Sequence, residues 1–298
     1  MRFTNILLGL TILVLVAFVP AKKAYQLFDK TGDKTTYDTM LKDLQQADVV
    51  LFGELHNNPI SHWLQLEVTK DLYEAKKQNL LLGAEMFEAD NQEVLNEYVQ
   101  KMISRKNFEN DARLWPNYKT DYRPLVDLAR QNQLQFIATN IPRRYASVVS
   151  RKGPEGLDKL SSKAKKWMTP LPFKVDLTLP GYANMIQMMG GMHGGHGGRS
   201  GMKMKPENFA KAQAIKDATM AHFILKNLKK GQTLIHYNGS YHSNNFEGIS
   251  WYLKQKRKKL KIVTVATVSQ MNLDQLTPKN KDLANYILAV PQSMTKTY

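Results

Sequence analysis

Two short apolar segments, each interrupted by a glycine and followed by acidic or imidazole side chains, constrain the fold of this chain most strongly. They are DVVLFGELH at residues 48–56 and LIHYNGSYH at residues 234–242. Apolar runs of this length are typical of strands buried on both faces of a parallel sheet. Ligands of open α/β sheets bind outside the carboxyl ends of such strands. The sequence therefore predicts a functional pocket at the ends of these two strands.

Strand-like runs alternate with helical patterns along most of the chain. Asn58-Pro59 is typical of a helix start, because Asn caps well and Pro is tolerated at the first helical position. The alternation predicts an α/β fold of three layers, with a mostly parallel sheet and helices on both faces. The predicted strands are residues 48–52, 80–86, 134–139, 233–238, 262–267 and 286–290. The predicted helices are residues 58–77, 91–105, 122–131, 157–167, 208–226 and 248–253, and residues 22–46 are predicted to form a lead-in with a polar helix.

Residues 152–205 break this alternation, and we interpret them as a smaller helical insertion over the cleft. Their second half, residues 185–205, is dominated by Met, His and Gly and includes His193 and His196. Gly raises the entropic cost of ordering a segment, so a mobile lid is expected rather than a regular element. Three interpretations stay open: a linker, a soft-metal tract for copper, or a flap whose Met and His side chains ligate a bound cofactor such as haem.

The N-terminus has the pattern of a secretory signal peptide. Arg2 precedes an apolar run at residues 6–19, which ends in a small-residue cleavage pattern at Ala21. This pattern predicts export, with residues 1–21 removed and residues 22–298 forming a single domain. An uncleaved N-terminal anchor is the alternative. The sequence has no Cys, so disulfides and a Cys-linked lipid anchor are excluded, which favours the periplasm or cell surface of a Gram-negative bacterium.

The formal net charge of the chain is +16. Such a charge favours anionic partners, including lipid head groups and carboxylate-bearing ligands. The densest basic run, residues 254–259, follows a predicted helix and fits a solvated helix end. No nucleic-acid-binding motif accompanies it, so nucleic acid is not an expected partner.

Four side chains at three predicted strand ends carry the candidate chemistry. Glu54 and His56 follow the first strand, Glu85 ends the next, and His242 follows the turn that begins at Asn238. Carboxylate and imidazole groups suit a divalent metal such as Zn, Mn or Co. They equally suit an acid–base pair, because a His beside a carboxylate titrates near neutrality. The Gly-x-Ser-x-Gly turn is absent from the sequence, which argues against a serine hydrolase.

Five segments of the chain, taken together and in order, carry a family resemblance. They are VLFGELHNNPISHWLQLEVTKDL, LLLGAEMFEADNQ, NIPRRYASVV, AQAIKDATMAHFI and LIHYNGSYHS. The chain resembles the ChaN-type haem-binding proteins, which are related to the Tiki and erythromycin-esterase-like proteins, over residues 48–267. The resemblance implies an exported bacterial protein that binds haem, serves iron acquisition and works with membrane-associated haem uptake components. It also implies a haem-induced homodimer in which two haems lie face to face, each iron ligated by a tyrosine.

The resemblance also implies which residues contact the haem. Tyr145 in NIPRRYA is the first candidate for the axial ligand, and Tyr182 and Tyr241 are alternatives. Arg143 and Arg144 are expected to pair with the haem propionates, because the guanidinium group matches a carboxylate in shape and charge.

The wider superfamily implies a competing function. Tiki proteins are metal-dependent peptidases, and erythromycin esterases use acidic and histidine residues to activate water. The matching positions are Glu54, His56, Glu85 and His242, so a metal-dependent hydrolase is the alternative to haem binding. The chain departs from the family pattern in two ways. It lacks the Cys of the lipoprotein members, and its Met/His/Gly segment matches no family motif.

Overall fold

A computed structural model describes residues 22–191 and 205–298, which form seven strands in a single sheet. The order across the sheet is β1-β7-β6-β2-β5-β3-β4; β1 pairs antiparallel with β7, and every other pairing is parallel. The strands are β1 Gln26–Asp29, β2 Val49–Glu54, β3 Leu80–Glu88, β4 Phe136–Asn140, β5 Thr233–Gly239, β6 Ile262–Gln270 and β7 Tyr286–Pro291.

Helices cover both faces of this sheet. They are α1 Tyr37–Gln45, α2 Pro59–Lys76, α3 Gln92–Val99, α4 Arg105–Asp111, α5 Arg123–Asn132, α6 Arg143–Lys152, α7 Ser162–Lys165, α8 Pro180–Gly191, α9 Pro206–Asn227 and α10 Ile249–Lys256. The predicted three-layer α/β fold with a mostly parallel sheet is confirmed. In the described parts of the chain, no helix is long and apolar enough to cross a membrane.

The central strand β2 shows how the layers are joined. Its side chains alternate between the two faces of the sheet, as in any strand. Val50 and Phe52 belong to the core that the sheet forms with α1–α5, whereas Val49 and Leu51 pack on the side of α9 and α10. All four side chains are fully buried, which explains why the sequence of β2 is a continuous apolar run. Its carboxyl end lies at the middle of the sheet, between the ends of β5 and β6.

The helix α2 begins where the sequence predicted it. The Asn58 side chain accepts hydrogen bonds from the backbone N–H groups of Ile60 and Ser61, both at 3.1 Å, and Pro59 occupies the first helical position. A side-chain cap of this kind stabilises a helix by about 1 kcal/mol. The cap fixes the direction in which the chain leaves the end of β2.

Three sequence predictions about local structure were wrong. The lead-in contains an antiparallel edge strand, β1, besides its helix. The helix predicted for residues 91–105 ends at Val99, because Lys101 has a φ of 66°; Ser104 then caps a separate helix, α4, which begins at Arg105. The helix predicted for residues 157–167 is only the single turn α7.

The predicted insertion differs in part from the expectation. Helix α8 extends to Gly191, so the first residues of the Met/His/Gly segment are helical. The insertion packs on α9, where Tyr182 contacts a small core formed with Ala210 and Ala214. His193 and His196 lie outside the described residues, as does the predicted signal peptide at residues 1–21.

Candidate functional site

The end of β2 places Glu54 and His56 in contact. The His56 Nδ1–H donates to Glu54 Oε1 at 2.9 Å. Glu54 is buried and also accepts from the Tyr122 hydroxyl at 2.6 Å and from the Gln65 amide at 2.8 Å. The His56 side chain keeps 36% of its surface exposed. The structure therefore builds a fixed carboxylate beneath a partly exposed imidazole.

Hydrogen bonds to its backbone hold the loop that carries His56 in place. The carbonyl oxygen of His56 accepts from His62 Nε2 at 3.0 Å and from the Asn117 amide at 2.9 Å. The ring of Trp115 packs edge-to-face on the His56 ring, with centroids 4.9 Å apart. These contacts restrict the imidazole to one orientation above Glu54.

The ends of β3 and β5 build a second group of side chains around His242. Its Nε2 lies 3.2 Å from Glu85 Oε1, and its Nδ1 lies 2.6 Å from Asp217 Oδ1 on α9. The other oxygen of Asp217 accepts from the Tyr182 hydroxyl of α8 at 2.6 Å. Glu85 Oε2 accepts from the backbone N–H of Gly239 at 2.8 Å. His242 is thus a buried imidazole between two buried carboxylates.

The two groups meet at Gly239. A Cβ atom there would lie 2.8 and 2.9 Å from Cε1 and Nε2 of His56, and 3.6 Å from Glu85 Oε2. Real Cβ contacts are almost never this short, so only glycine lets the His56 ring lie against the backbone residue whose N–H binds Glu85. The side chains predicted at the strand ends therefore form one continuous cluster.

The charges in this cluster follow from its burial and pairing. Burial opposes protonation of His242, but attraction to Glu85 and Asp217 and the hydrogen bonds to both raise the pKa of His242 to about 10. Burial likewise opposes ionisation of Glu85, yet His242 and His56 hold the pKa of this carboxyl well below its ordinary range. The pKa of His56 is raised; burial opposes the shift, and the hydrogen bond to Glu54 and the charge of Glu85 outweigh it. His242 is consequently an imidazolium at neutral pH.

The arrangement of the cluster bears on the predicted divalent metal site. Both ring nitrogens of His242 already face carboxylates, those of Glu85 and Asp217. Within residues 22–191 and 205–298, no group of three or more His, Asp or Glu side chains has a geometry that could hold a metal ion. The geometry thus does not support the predicted divalent site at Glu54, His56, Glu85 and His242.

The candidate haem contacts lie after the ends of β4 and β5 and on the insertion. Tyr145 lies in the first turn of α6, half-buried, with the Arg144 guanidinium 4.6 Å above its ring. Tyr182 is buried against Asp217, and the Tyr241 hydroxyl donates to the backbone carbonyl of Gly181 at 2.6 Å. The three tyrosines therefore occupy different surroundings.

A shallow cleft of about 260 Å³ adjoins this region. Arg113, Arg143, Arg144, Trp115, Leu114 and Glu88 form its walls, and Glu88 pairs with Arg113 at 3.2 Å. Arg144 also forms an ion pair with Asp90 at 2.7 Å. Because Trp115 packs on His56 as well, the arginine-lined cleft is continuous with the strand-end cluster.

Sequence reasoning missed Asp217 and Tyr122, although each is in direct contact with a predicted residue. One signal pointed to Asp217, which is a charged residue between Ala214, Ala218 and Ala221 on the buried side of α9. Tyr122 carried no such signal, because a tyrosine at a helix start fits an ordinary core.

Comparison with known proteins connects this architecture to a family. The family described as haem-binding uptake, Tiki superfamily, ChaN matches residues 40–253. The structure is similar to that of ChaN from Campylobacter jejuni, described as binding haem cofacially, with a TM-score of 0.66 and 19% identity over 89% of this chain and 96% of the other. It is also similar to a mutant of the erythromycin esterase EreC in its open conformation, with a TM-score of 0.50 and 9% identity over 88% of this chain and 94% of the other. At these identities the structural likeness establishes the fold alone.

One curated protein matches part of the chain. The protein RETICULATA-RELATED 5, chloroplastic, from Arabidopsis thaliana is 31% identical over 134 residues, which is 43% of this chain. The match spans only 18% of the length of that protein, so it says little about the activity of either chain. The ChaN family match, in contrast, extends from α1 to α10. It includes all five sequence segments that carry the resemblance. The chain therefore belongs to the ChaN family of haem-binding uptake proteins in the Tiki superfamily.

Proposed function

We propose that this protein binds haem at the arginine-lined cleft beside the strand ends and carries it in haem-iron acquisition. Membership in the ChaN family supports haem as the ligand. The observation that carries the proposal is the position of Tyr145, which directly follows Arg143 and Arg144 of the cleft wall and whose ring centre lies 4.6 Å from the Arg144 guanidinium. Tyrosine ligates haem iron in some proteins, and arginine pairs well with carboxylates such as the haem propionates.

The local contacts favour Tyr145 over the other two candidate tyrosines. The hydroxyl groups of Tyr182 and Tyr241 are both engaged with internal acceptors, and Tyr182 is buried. Tyr145 is half-buried, and the positive charge of Arg144 beside its ring would offset the negative charge of a tyrosinate. When bound, the haem would supply the iron; the protein would supply the oxygen ligand and the cations for the propionates.

The size of the cleft supports a shared site. Enclosed ligand pockets usually measure about 300–1,000 Å³, and this cleft of about 260 Å³ is smaller and shallow. A half-site of this kind can cover one face of a haem and leave the other face to a second molecule. The proposed haem-induced homodimer follows from this shape and agrees with a face-to-face arrangement of two haems.

Export to the periplasm or cell surface is part of the same proposal. The apolar N-terminal run with a small-residue cleavage pattern supports it, and so does the absence of Cys from the sequence. The excess of basic residues suits an anionic cargo. Membrane-associated haem uptake components are the proposed partners.

A hemin titration of the purified protein tests the proposal. We expect a saturable Soret shift with a high-spin, tyrosinate-type spectrum and a shift toward dimer in size exclusion. Tyr145→Phe should abolish the tyrosinate features, whereas Tyr241→Phe, the matched control on the exposed surface, should retain them. Free-hemin spectra throughout the titration of the unmodified protein would refute haem binding. An unchanged spectrum for Tyr145→Phe would move the ligand to another side chain.

The contact between His56 and Glu54 favours a second candidate function, hydrolysis. A half-exposed imidazole on a buried carboxylate has the arrangement of a general acid–base pair. In this alternative, His56 would move a proton to or from a water molecule or a leaving group in the cleft. Assays with ester and peptide panels, comparing the protein with His56→Ala, test it. Activity that is absent, or that His56→Ala leaves unchanged, would refute it.

A further inference from the structure

A second and larger cleft lies between α9 and α10 and is lined by residues other than those of the strand-end cluster. Its volume is about 680 Å³, and it is bounded by the C-terminal half of α9, by α10 and by residues 169–174. Its apolar lining includes Phe173, Ala221, Leu225 and Trp251. None of the strand-end residues contributes to it, and the proposed haem contacts do not either.

The segment of residues 169–174 is fixed at both ends. The backbone N–H of Thr169 donates to the Thr219 hydroxyl of α9 at 3.2 Å, and the Tyr252 hydroxyl of α10 donates to the Lys174 carbonyl at 2.8 Å. Between these points, Phe173 packs against three separate apolar clusters. The cleft is therefore formed before any ligand enters, which lowers the entropic cost of binding.

The charges around this cleft have one sign. Lys174, Lys226 and Lys256 are exposed at its rim, and none of the described residues that line it is acidic. Lys174 Nζ lies 5.5 Å from the centre of the Trp251 ring, so at least one ammonium group lies next to the apolar lining. His222, which also lines the cleft, has a lowered pKa because of burial and the charges of Lys226 and Lys256.

We propose that this cleft binds an amphipathic carboxylate, a small molecule with an apolar body and a carboxylate group. The apolar body would fill the space between Trp251, Leu225 and Phe173, and the carboxylate would pair with the lysines of the rim. The volume lies within the range of small-molecule sites, which are mostly apolar with a few polar groups that fix orientation. A neutral apolar molecule would leave the lysine rim without a partner, and a polar anion would leave the lining without contacts.

Fluorescence of a dansyl-labelled undecanoic acid with the full chain tests this inference. We expect saturable enhancement of the dansyl emission, together with energy transfer from Trp251, whose indole would lie beside the probe. Trp251→Phe should reduce this transfer, with the remainder coming from Trp167 on the same apolar cluster, while Trp63→Phe, on the opposite face of the sheet, should leave it unchanged. The methyl ester of the probe should bind about tenfold more weakly, since it has lost the charge that pairs with the rim.

A charge-matched pair of variants locates the carboxylate. Lys226→Ala with Lys256→Ala should weaken binding of the probe about tenfold. Lys229→Ala with Lys258→Ala removes the same charge from surface positions outside the cleft and should change the affinity less than twofold. All four lysines are exposed, so both variants should fold. Equal losses in the two variants, or equal affinity for the acid and its ester, would overturn the proposal.

This inference and the proposed haem function can fail separately. The titration contains no hemin, and Tyr145→Phe should leave the affinity for the probe unchanged. A protein that binds the probe but no hemin, or hemin but no probe, would retain one proposal and reject the other. Loss of probe binding in Tyr145→Phe would place the carboxylate at the arginine-lined cleft and overturn the inference.

Discussion

The buried imidazolium of His242 leads to a prediction about how stability depends on pH. The pKa of His242 rises from 6.5 to about 10, because attraction to Glu85 and Asp217 exceeds the cost of burial. A raised pKa in the folded state contributes stability that is fully present below pH 6.5 and is lost as the pH rises through about 10. The pKa of Glu85 is lowered, so its contribution is present above its ordinary pKa of 4.5 and is lost as the pH falls.

The variant Asp217→Asn removes one of the two charges that hold this imidazolium. A change of one in pKa corresponds to about 1.4 kcal/mol, so the full shift of His242 corresponds to roughly 5 kcal/mol, as an upper limit. Desolvation of the carboxylates offsets part of this amount. Because Glu85 remains, we expect Asp217→Asn to lower the free energy of unfolding by about 2–3 kcal/mol at pH 6. Near pH 10, where His242 loses its proton in both proteins, the difference should shrink below about 1 kcal/mol.

Urea unfolding of both proteins between pH 6 and pH 10 measures this difference. Asp158→Asn is the matched control, because it removes the same charge from an exposed position. The control should follow the unmodified protein at every pH. A curve for Asp217→Asn that runs parallel to that of the unmodified protein across the whole range would refute the assignment of a charged His242.

Two further predictions concern the neighbouring strand end. Gly53→Ala would place a methyl group 2.8 and 2.9 Å from backbone atoms of the turn after β5 and of β6, so it should lower the free energy of unfolding by about 1–3 kcal/mol. The control is Gly190→Ala in α8, where no atom lies within 4 Å of the new methyl group, and it should raise the free energy of unfolding by about 0.5–1 kcal/mol. Equal urea midpoints for the two variants would contradict this reasoning. Glu54→Gln should lower the pKa of His56, because the hydrogen bond and charge that favour the imidazolium are lost. NMR titration of the His56 imidazole measures this pKa, and an unchanged value in the variant would exclude the contact between His56 and Glu54.

The part of the fold that the sequence predicted correctly depends on local patterns. The continuous apolar run of β2 follows from burial on both faces, and Asn58-Pro59 marks the start of α2 through the cap itself. The edge strand β1 was missed because its four residues carry no apolar run; its pairing with β7, far along the chain, defines it. The break between α3 and α4 was missed because a helical pattern of apolar residues continues across the turn at Lys101.

Residues at the strand ends could be predicted for a similar reason. Parallel strands place their carboxyl ends at one edge of the sheet, so Glu54, Glu85 and His242 had to lie near one another once the strands were identified. Their chemistry could not be predicted in the same way. The sequence gives equal support to a metal site and to an acid–base pair, and only the contacts of His242 distinguish these possibilities.

The sequence by itself therefore determined the layers, the edge of the sheet where the candidate site lies, and the family. The tertiary structure determined which side chains contact each other in the cluster. Asp217 binds His242 although the two are 25 positions apart in the chain, and Gly239 leaves space for the His56 ring beside Glu85. The reason is physical. The periodicity of apolar residues in the sequence indicates which side of a helix or strand is buried. Whether two side chains share a proton depends instead on the distance between them, which is set by the packing of a helix against the sheet. Those distances place His242 between Glu85 and Asp217, which raise the pKa of its imidazole.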